Sequence, residues 1–321
     1  MIMIEEYNDC ILCSSRGVLL YSDIKDRIYN AEGTYNYFLC KACKFAWLNP
    51  RPIKEDLFLF YKDYYTHPNN KQHNGIEKGN IVPVKESKRL VKANLFFHVN
   101  FNKERHSFPI IPKWYGEGKL LDIGCGDGLF LFNMKKMGWQ TYGIEIDEKA
   151  ANYAIKNYGL NVYIGDIESS PFENNFFSVI TMNHTIEHIF DPLRLLEQCY
   201  KLLAPNGYVY IETPNLNSLA HWIFKRNYVF IDAPRHLWIW SKESLMKAAL
   251  REKFKIEECK TTNYYAASIY DKSMLIKKVG KAKLNREISF AGRLFSKVEH
   301  IINILMKDIG EDVYLVLRKA D

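Results

Sequence analysis

With 321 residues, 47% hydrophobic and 25% charged side chains and a net charge of +7, the chain has the balance of a globular protein of about two domains and excludes a disordered or fibrous one. No apolar run approaches the ~18 residues that cross a bilayer, and Glu5, Glu6 and Asp9 stand where a secretory leader would be basic and then apolar, so a cytoplasmic protein is expected. In a reducing compartment its 7 cysteines read as ligands or buried thiols, not as disulfides.

The first fifty residues hold two short β-like runs, Val18–Tyr21 and Tyr35–Leu39, bracketed by Cys10-x-x-Cys13 and Cys40-x-x-Cys43. Two such pairs, each on a tight turn, enclose one tetrahedral ion with four thiolates and leave no open position, so a structural zinc at Cys10, Cys13, Cys40 and Cys43 is expected. Residues 1–50 are therefore assigned to a zinc-binding ribbon. Residues 51–115 are assigned to a helical linker, with an aromatic helix over Asp56–Tyr65, a polar loop over 67–79 and a second helix over 85–101. Tyr64 and Tyr65 are read as packing groups.

From Lys119 onward strands and helices alternate. Strands are expected at Leu120–Ile123, Thr141–Ile146, Val162–Ile164, Ser178–Met182, Tyr208–Glu212, Lys255–Cys259 and Asp312–Leu317, and helices at Leu129–Met137, Glu148–Tyr158, Pro192–Leu203 and Leu245–Leu250. This rhythm is that of an α/β, Rossmann-like, doubly wound seven-stranded sheet over residues 116–321, with residues 264–310 as a helical insertion before the last strand.

The loop Asp122-Ile123-Gly124-Cys125-Gly126-Asp127-Gly128 follows a strand and opens a helix, which lets backbone approach a ligand at the helix N-terminus. Position 129 is Leu, so the dinucleotide pattern fails. The acid two residues before the first glycine suits an ammonium group better than a pyrophosphate. Glu145 at the end of the second strand can accept the hydroxyls of a ribose, and Asp166 with Ile167 ends the third. Asn183 and His184 lie at the carboxyl end of the fourth, where open sheets place ligands.

This succession resembles the class I S-adenosylmethionine-dependent methyltransferases. The resemblance implies S-adenosylmethionine as cofactor, with Asp122, Gly124 and Gly126 in the glycine loop, Glu145 and Ile146 at the ribose, Asp166 and Ile167 at the adenine, and Asn183 nearby. Asn183-His184-Thr185-Ile186-Glu187-His188-Ile189-Phe190-Asp191-Pro192, Leu203-Ala204-Pro205-Asn206-Gly207 and Asp232-Ala233-Pro234-Arg235-His236-Leu237 are similar to segments of the ubiquinone-biosynthesis O-methyltransferase branch. Cys40-x-x-Cys43-x-x-x-Trp47-x-Asn49-Pro50-Arg51-Pro52 resembles zinc-ribbon methyltransferases encoded with sugar and surface-polysaccharide genes. Some of those are C-methyltransferases with a further C-terminal domain; this chain ends at its seventh strand, so oxygen is the expected nucleophile.

His184-x-x-Glu187-His188 also spells an inverted zinc protease, but that motif needs a continuous helix and here it leaves a strand and meets Asp191-Pro192. The expected catalytic groups are His188 as the base that takes a hydroxyl proton, Glu187 orienting the substrate or the imidazole, and His236 beside them. The expected acceptor is a small molecule or glycan precursor. Two rival readings are an RNA methyltransferase that grips RNA with the ribbon and a scaffold that no longer transfers methyl groups. Against the first, the ribbon mixes Arg16, Lys25, Arg27, Lys41 and Lys44 with Asp23, Asp26 and Glu32 and forms no basic stripe, so no nucleic-acid partner is expected; against the second, Asp122, Glu145 and Asp166 are intact.

In the 264–310 insertion, Phe290, Leu294, Phe295, Val298, Ile301, Ile302 and Leu305 recur at helical intervals, and Lys272, Lys277, Lys278, Lys281, Lys283, Arg286, Arg293 and Lys297 make it basic. The plain reading packs the stripe on the sheet or on another subunit. The alternatives are a lid over the acceptor and a peripheral contact with the inner face of an anionic membrane.

Overall fold

The computed structural model of the protein describes residues 3–61, 110–283 and 287–320. The expected loop over 67–79, the helix over 85–101, Tyr64, Tyr65 and Arg286 lie outside the described residues. The strands in chain order are β1 Ile4–Glu5, β2 Val18–Ile24, β3 Tyr35–Cys40, β4 Phe45–Leu48, β5 Arg51–Pro52, β6 Lys119–Ile123, β7 Gln140–Glu145, β8 Asn161–Ile164, β9 Phe177–Asn183, β10 Leu203–Pro214, β11 Trp238–Ile239, β12 Phe254–Thr262 and β13 Asp312–Lys319. The helices are α1 Leu129–Lys136, α2 Glu148–Tyr158, α3 Pro192–Leu202, α4 Leu219–Phe224, α5 Lys242–Arg251, α6 Ala266–Val279 and α7 Phe290–Leu305. The aromatic helix expected over Asp56–Tyr65 is instead a 3-10 helix over Lys54–Tyr61.

Seven strands form one sheet in the order β12-β13-β10-β9-β6-β7-β8, the doubly wound arrangement expected from the sequence. β6 pairs in parallel with β7 on one side and β9 on the other, so the strand order reverses there and opens a crevice at the carboxyl end of β6. By packing, the chain forms two compact units. The first holds residues 1–64, 184–194 and 211–316; the second holds 65–183, 195–210 and 317–321. The expected divisions 1–50, 51–115 and 116–321 follow composition, whereas these units follow contact, and the first is stitched from distant segments.

In the second unit the helices are set by local signals. Asp147 caps α2 by accepting from the backbone N–H groups of Lys149 and Ala150, and Gly159 closes it at φ 59°. The inward face of α2 is Ala150, Ala151 and Ala154, small enough for close packing. Gly128, before α1, sits at φ +81°, and a Cβ there would stand 2.6 Å from the Ala154 Cβ, so both conformation and space demand glycine.

In the first unit the ribbon is a four-stranded sheet, β11-β4-β3-β2, of which β11 arrives from far along the sequence. Trp238 of β11 pairs with Trp47 of β4 and is buried, as is Trp240. Phe45 packs against the rings of both Trp238 and Trp240. Arg51, in the Asn49-Pro50-Arg51-Pro52 run, stacks over Phe190 at 3.9 Å, pairs with Glu5 at 2.7 Å and donates to the Phe190 carbonyl. A second buried arginine, Arg235, grips Asp26 with two nitrogens at 2.8 and 2.7 Å and Asp232 with two at 3.0 and 2.6 Å. Asp26 also accepts from the backbone of Ile28, Tyr29 and Ala31, which fixes the β2–β3 turn. A fully buried guanidinium with both neighbours charged is costly to break, about 3–5 kcal/mol when one partner is removed.

Candidate active site and cysteine cluster

The second unit carries the glycine loop. Gly124 and Gly126 sit at φ +72° and +55°, and Gly124 is exposed at the carboxyl end of β6. Asp122 is buried beneath the loop and accepts from the Thr181 hydroxyl at 2.7 Å. Burial pushes its carboxyl up to about 7; the Thr181 bond opposes this and the charge of Glu145 adds to it. Glu145 at the end of β7 accepts from the Gly126 N–H at 2.7 Å and from the Asp147 N–H at 2.9 Å, so it ties the glycine loop to the start of α2. Burial raises its carboxyl despite those bonds. Neither acid has a basic partner among the described residues. Ile146 is 57% exposed beside them. At the end of β8, Asp166 accepts from both the backbone and the hydroxyl of Ser169, and Ile167 follows it, half-buried. Asn183 ends β9, also half-buried.

The first unit carries a layer of histidines and carboxylates. His188 is held by the Arg235 carbonyl at 3.1 Å and the Tyr61 hydroxyl at 3.0 Å, both at Nδ1. His236 is held the same way, its Nδ1 on the Phe230 carbonyl at 2.9 Å. A carbonyl only accepts, so both Nδ1 atoms carry the proton and both Nε2 atoms are lone pairs. The two rings meet edge to face at 4.6 Å. Burial, and then the neighbouring His236, lower His188 to about 4, and burial lowers His236 as well, so both are neutral at pH 7. The sequence reading expected a base near neutrality; burial beside a second imidazole is why His188 lies below it.

Glu187 is fully buried, accepts from the Thr213 hydroxyl at 2.9 Å and faces His184 Nδ1 at 3.3 Å. Burial would raise its carboxyl, but the His184 bond and the nearby histidines hold it down at about 2. Its ion-pair partner is His184, and its carboxylate also lies within 4.8 Å of ring nitrogens of His188 and His236. His184 Nε2 stands 3.7 Å from Asp312. Burial would lower His184, yet the carboxylates of Asp312, Glu187 and Glu212 outweigh that and hold it up at about 9. Within one turn of chain, His184 is therefore a cation and His188 a neutral acceptor.

The structure brings the sequence-expected Glu187, His188 and His236 together, and around them stand Tyr61, Glu212, Thr213 and Asp312, which sequence reasoning missed. Glu212 and Thr213 end the fifth strand, so the same carboxyl-end rule that marked Asn183 could have found them. Nothing local marks Asp312, because its partner His184 is remote in sequence.

The cysteine cluster lies in the first unit too. The sulfurs of Cys10, Cys13, Cys40 and Cys43 all lie within 4.8 Å of one another, and those of Cys13 and Cys40 are 3.6 Å apart. A tetrahedron with metal–sulfur bonds of about 2.3 Å has edges of about 3.8 Å, so the four donors fit one zinc ion. The Leu12 and Cys43 N–H groups donate to the sulfurs of Cys10 and Cys40, and Lys247 donates to Cys43 at 3.2 Å. Donors of this kind favour thiolates.

A family model described as "Methyltransferase domain" matches residues 94–258. The ubiquinone biosynthesis O-methyltransferase of Neisseria meningitidis is 30% identical over 135 residues, 39% of this chain and 56% of that protein. The enzyme of the same name from Coxiella burnetii is 32% identical over 124 residues, 36% of this chain and 53% of that one. The chain thus spans about half the length of the curated relatives it matches. A SAM dependent methyltransferase from Archaeoglobus fulgidus superposes over 74% of this chain and 96% of its own with a TM-score of 0.46 and 23% identity.

Proposed function

Because the chain belongs to the methyltransferase-domain family, we propose that it moves the methyl group of S-adenosylmethionine to an acceptor hydroxyl on a sugar or glycan precursor. The observation that carries the cofactor is the pair of buried acids Asp122 and Glu145, both raised and both without a basic partner among the described residues, beside an exposed glycine turn at the sheet's reversal point. A cationic ligand offsets exactly such a deficit. S-adenosylmethionine brings an ammonium and a sulfonium and supplies an electrophilic methyl group when bound. Gly124 and Gly126 would let backbone approach it, Asp122 would face its ammonium end, Glu145 its ribose hydroxyls, Asp166, Ile146 and Ile167 its adenine, and Asn183 would lie close by.

Oxygen as the nucleophile is supported by the O-methyltransferase names of the relatives, and a glycan acceptor by the Cys40-to-Pro52 spacing. A sugar hydroxyl attacks slowly unless its proton is removed as the new bond forms. His188 supplies the base: its Nε2 lone pair is fixed by the bond at Nδ1, and the ring is neutral at pH 7. Nε2 takes the hydroxyl proton as the oxygen gains the methyl. His236 shares the same tautomer and stands by as a second acceptor, while Glu187, paired with His184, holds the start of the loop. The ribbon cysteines hold one structural zinc.

His188→Ala tests the base. Transfer of labelled methyl to the acceptor should fall roughly a hundredfold or more while S-adenosylmethionine affinity by calorimetry stays at the wild-type value. The acidic limb of the wild-type rate should lie near pH 4, since His188 must be unprotonated to accept. Turnover within a factor of a few of wild type removes His188 from the role.

A further inference from the structure

Helix α7 is fastened to the first unit by one face and turns a second, apolar face outward. The Ser289 hydroxyl caps it by accepting from the Gly292 N–H, and Ser289 in turn donates to Asp271 of α6 from both its N–H and its hydroxyl. Gly292 lies so close to α6 that a Cβ there would stand 2.7 Å from the Ala267 carbonyl oxygen. Phe295 stacks on Tyr270 at 4.9 Å. These contacts fix the rotation of the helix, with Gly292, Phe295 and Glu299 buried.

Of the three readings of the stripe, inward packing accounts for Phe295, which packs on α6, and partly for Ile302. Phe290, Leu294, Val298, Ile301 and Leu305 recur at i+4 and i+3, fall on one outward stripe, and are 83%, 52%, 43%, 59% and 79% exposed. Ile304 and Met306 extend it. Single exposed apolar residues are ordinary, but a continuous helical stripe of them marks a surface that something covers.

The rim says what kind of partner. Lys277, Lys278, Lys281, Lys283, Arg293, Lys297 and Lys307 are all exposed, and none has an ion-pair partner among the described residues. The acids of this stretch are otherwise engaged: Asp271 holds Ser289, Asp308 pairs with Lys242, and Glu299 is buried, which leaves Glu287 exposed. An apolar stripe with a basic rim on a helix fixed flat to the fold matches an anionic lipid surface, which buries the stripe among acyl chains and sets the cations at the phosphates. No described helix is long and apolar enough to cross a membrane, so the contact is peripheral. A second copy of the chain is a poorer fit, because a two-fold pairing sets this basic rim against itself.

We propose that α7 docks the protein on an anionic membrane through Phe290, Leu294, Val298, Ile301 and Leu305, with Arg293, Lys297 and the α6–α7 lysines at the lipid phosphates. The inference stands apart from the methyl-transfer reading and survives its failure.

The full chain should co-sediment with vesicles of phosphatidylcholine mixed with phosphatidylglycerol and not with vesicles of phosphatidylcholine alone. Binding should weaken about tenfold or more in high salt and in Phe290→Glu/Leu294→Glu, whose side chains are exposed and whose melting temperature should match wild type. Arg293→Glu/Lys297→Glu, also on exposed positions, should weaken it as well. Absence of binding at low salt overturns the proposal, as does equal binding to neutral vesicles or a stripe variant that binds like wild type. A lipid-free dimer that the stripe variant abolishes assigns the face to a second copy and overturns it too.

Discussion

Asp122 and Glu145 in the second unit and Glu187 in the first are buried carboxylates in opposite circumstances. In the second, Asp122 and Glu145 are buried with backbone and hydroxyl donors but no described cation, and both are raised. In the first, Glu187 is as deeply buried, yet it faces a histidine and is held at about 2. Burial alone therefore does not set a carboxylate's state. For Glu187 the sign comes from the histidines that the fold brings opposite it, and Asp122 and Glu145 have no such partner among the described residues.

The largest effect should come from the ribbon. Structural zinc in small modules is worth roughly 10 kcal/mol or more of folding energy, so chelation or Cys40→Ser should unfold the four-stranded sheet and lower the melting temperature sharply. Metal analysis should find one zinc per chain in wild type and none in the variant. If the variant melts like wild type, the thiols are not a metal site, and the first unit is held by Arg235 and its aromatic packing alone.

A smaller loss is expected at the glycine loop. Glu145→Ala should weaken S-adenosylmethionine binding by one to two orders of magnitude, since a charge-assisted hydrogen bond is worth about 1.5–3 kcal/mol. Titration calorimetry on the folded variant reads this directly. Unchanged affinity would mean that the deficit at Asp122 and Glu145 receives no ligand, and the contrast between the units would lose its functional meaning.

The smallest effect is a pH slope in the first unit. His184 is raised from 6.5 to about 9, so the stability it contributes is full below pH 6.5 and is lost as pH rises through about 9. Glu212, raised to about 7, acts in the same direction between pH 4.5 and 7, whereas Glu187, lowered to about 2, loses its contribution only as pH falls from 4.5 towards 2. The melting temperature should thus drop by a few degrees between pH 6.5 and 9, and His184→Gln should flatten that drop. An identical slope in the variant would place the titration elsewhere.

Much of this was readable along the chain because it is local. The strands of the sheet and the helices α1, α2, α3 and α5 fall within a few residues of their sequence-derived bounds, since each is set by its own apolar pattern, cap or glycine, as Asp147 and Gly159 set α2, whereas α4 was not expected. The cysteine pairs and the glycine loop are likewise contiguous motifs. The histidine layer is different. Tyr61, Glu212 and Thr213, Arg235 and Asp312 reach His184, Glu187 and His188 from four separate stretches, and no spacing announces that.

By itself, then, the sequence determined the α/β order, the cysteine pairs and which carboxylates stand at strand ends, because those depend on near neighbours and a repeating period. Only the tertiary structure decided the charge on each histidine, the joining of Trp238–Ile239 to the ribbon, and which face of α7 is outward. The same apolar period in α7 serves a buried face and an exposed one; Gly292 against Ala267 and Phe295 against Tyr270 choose between them, and those are contacts with another helix.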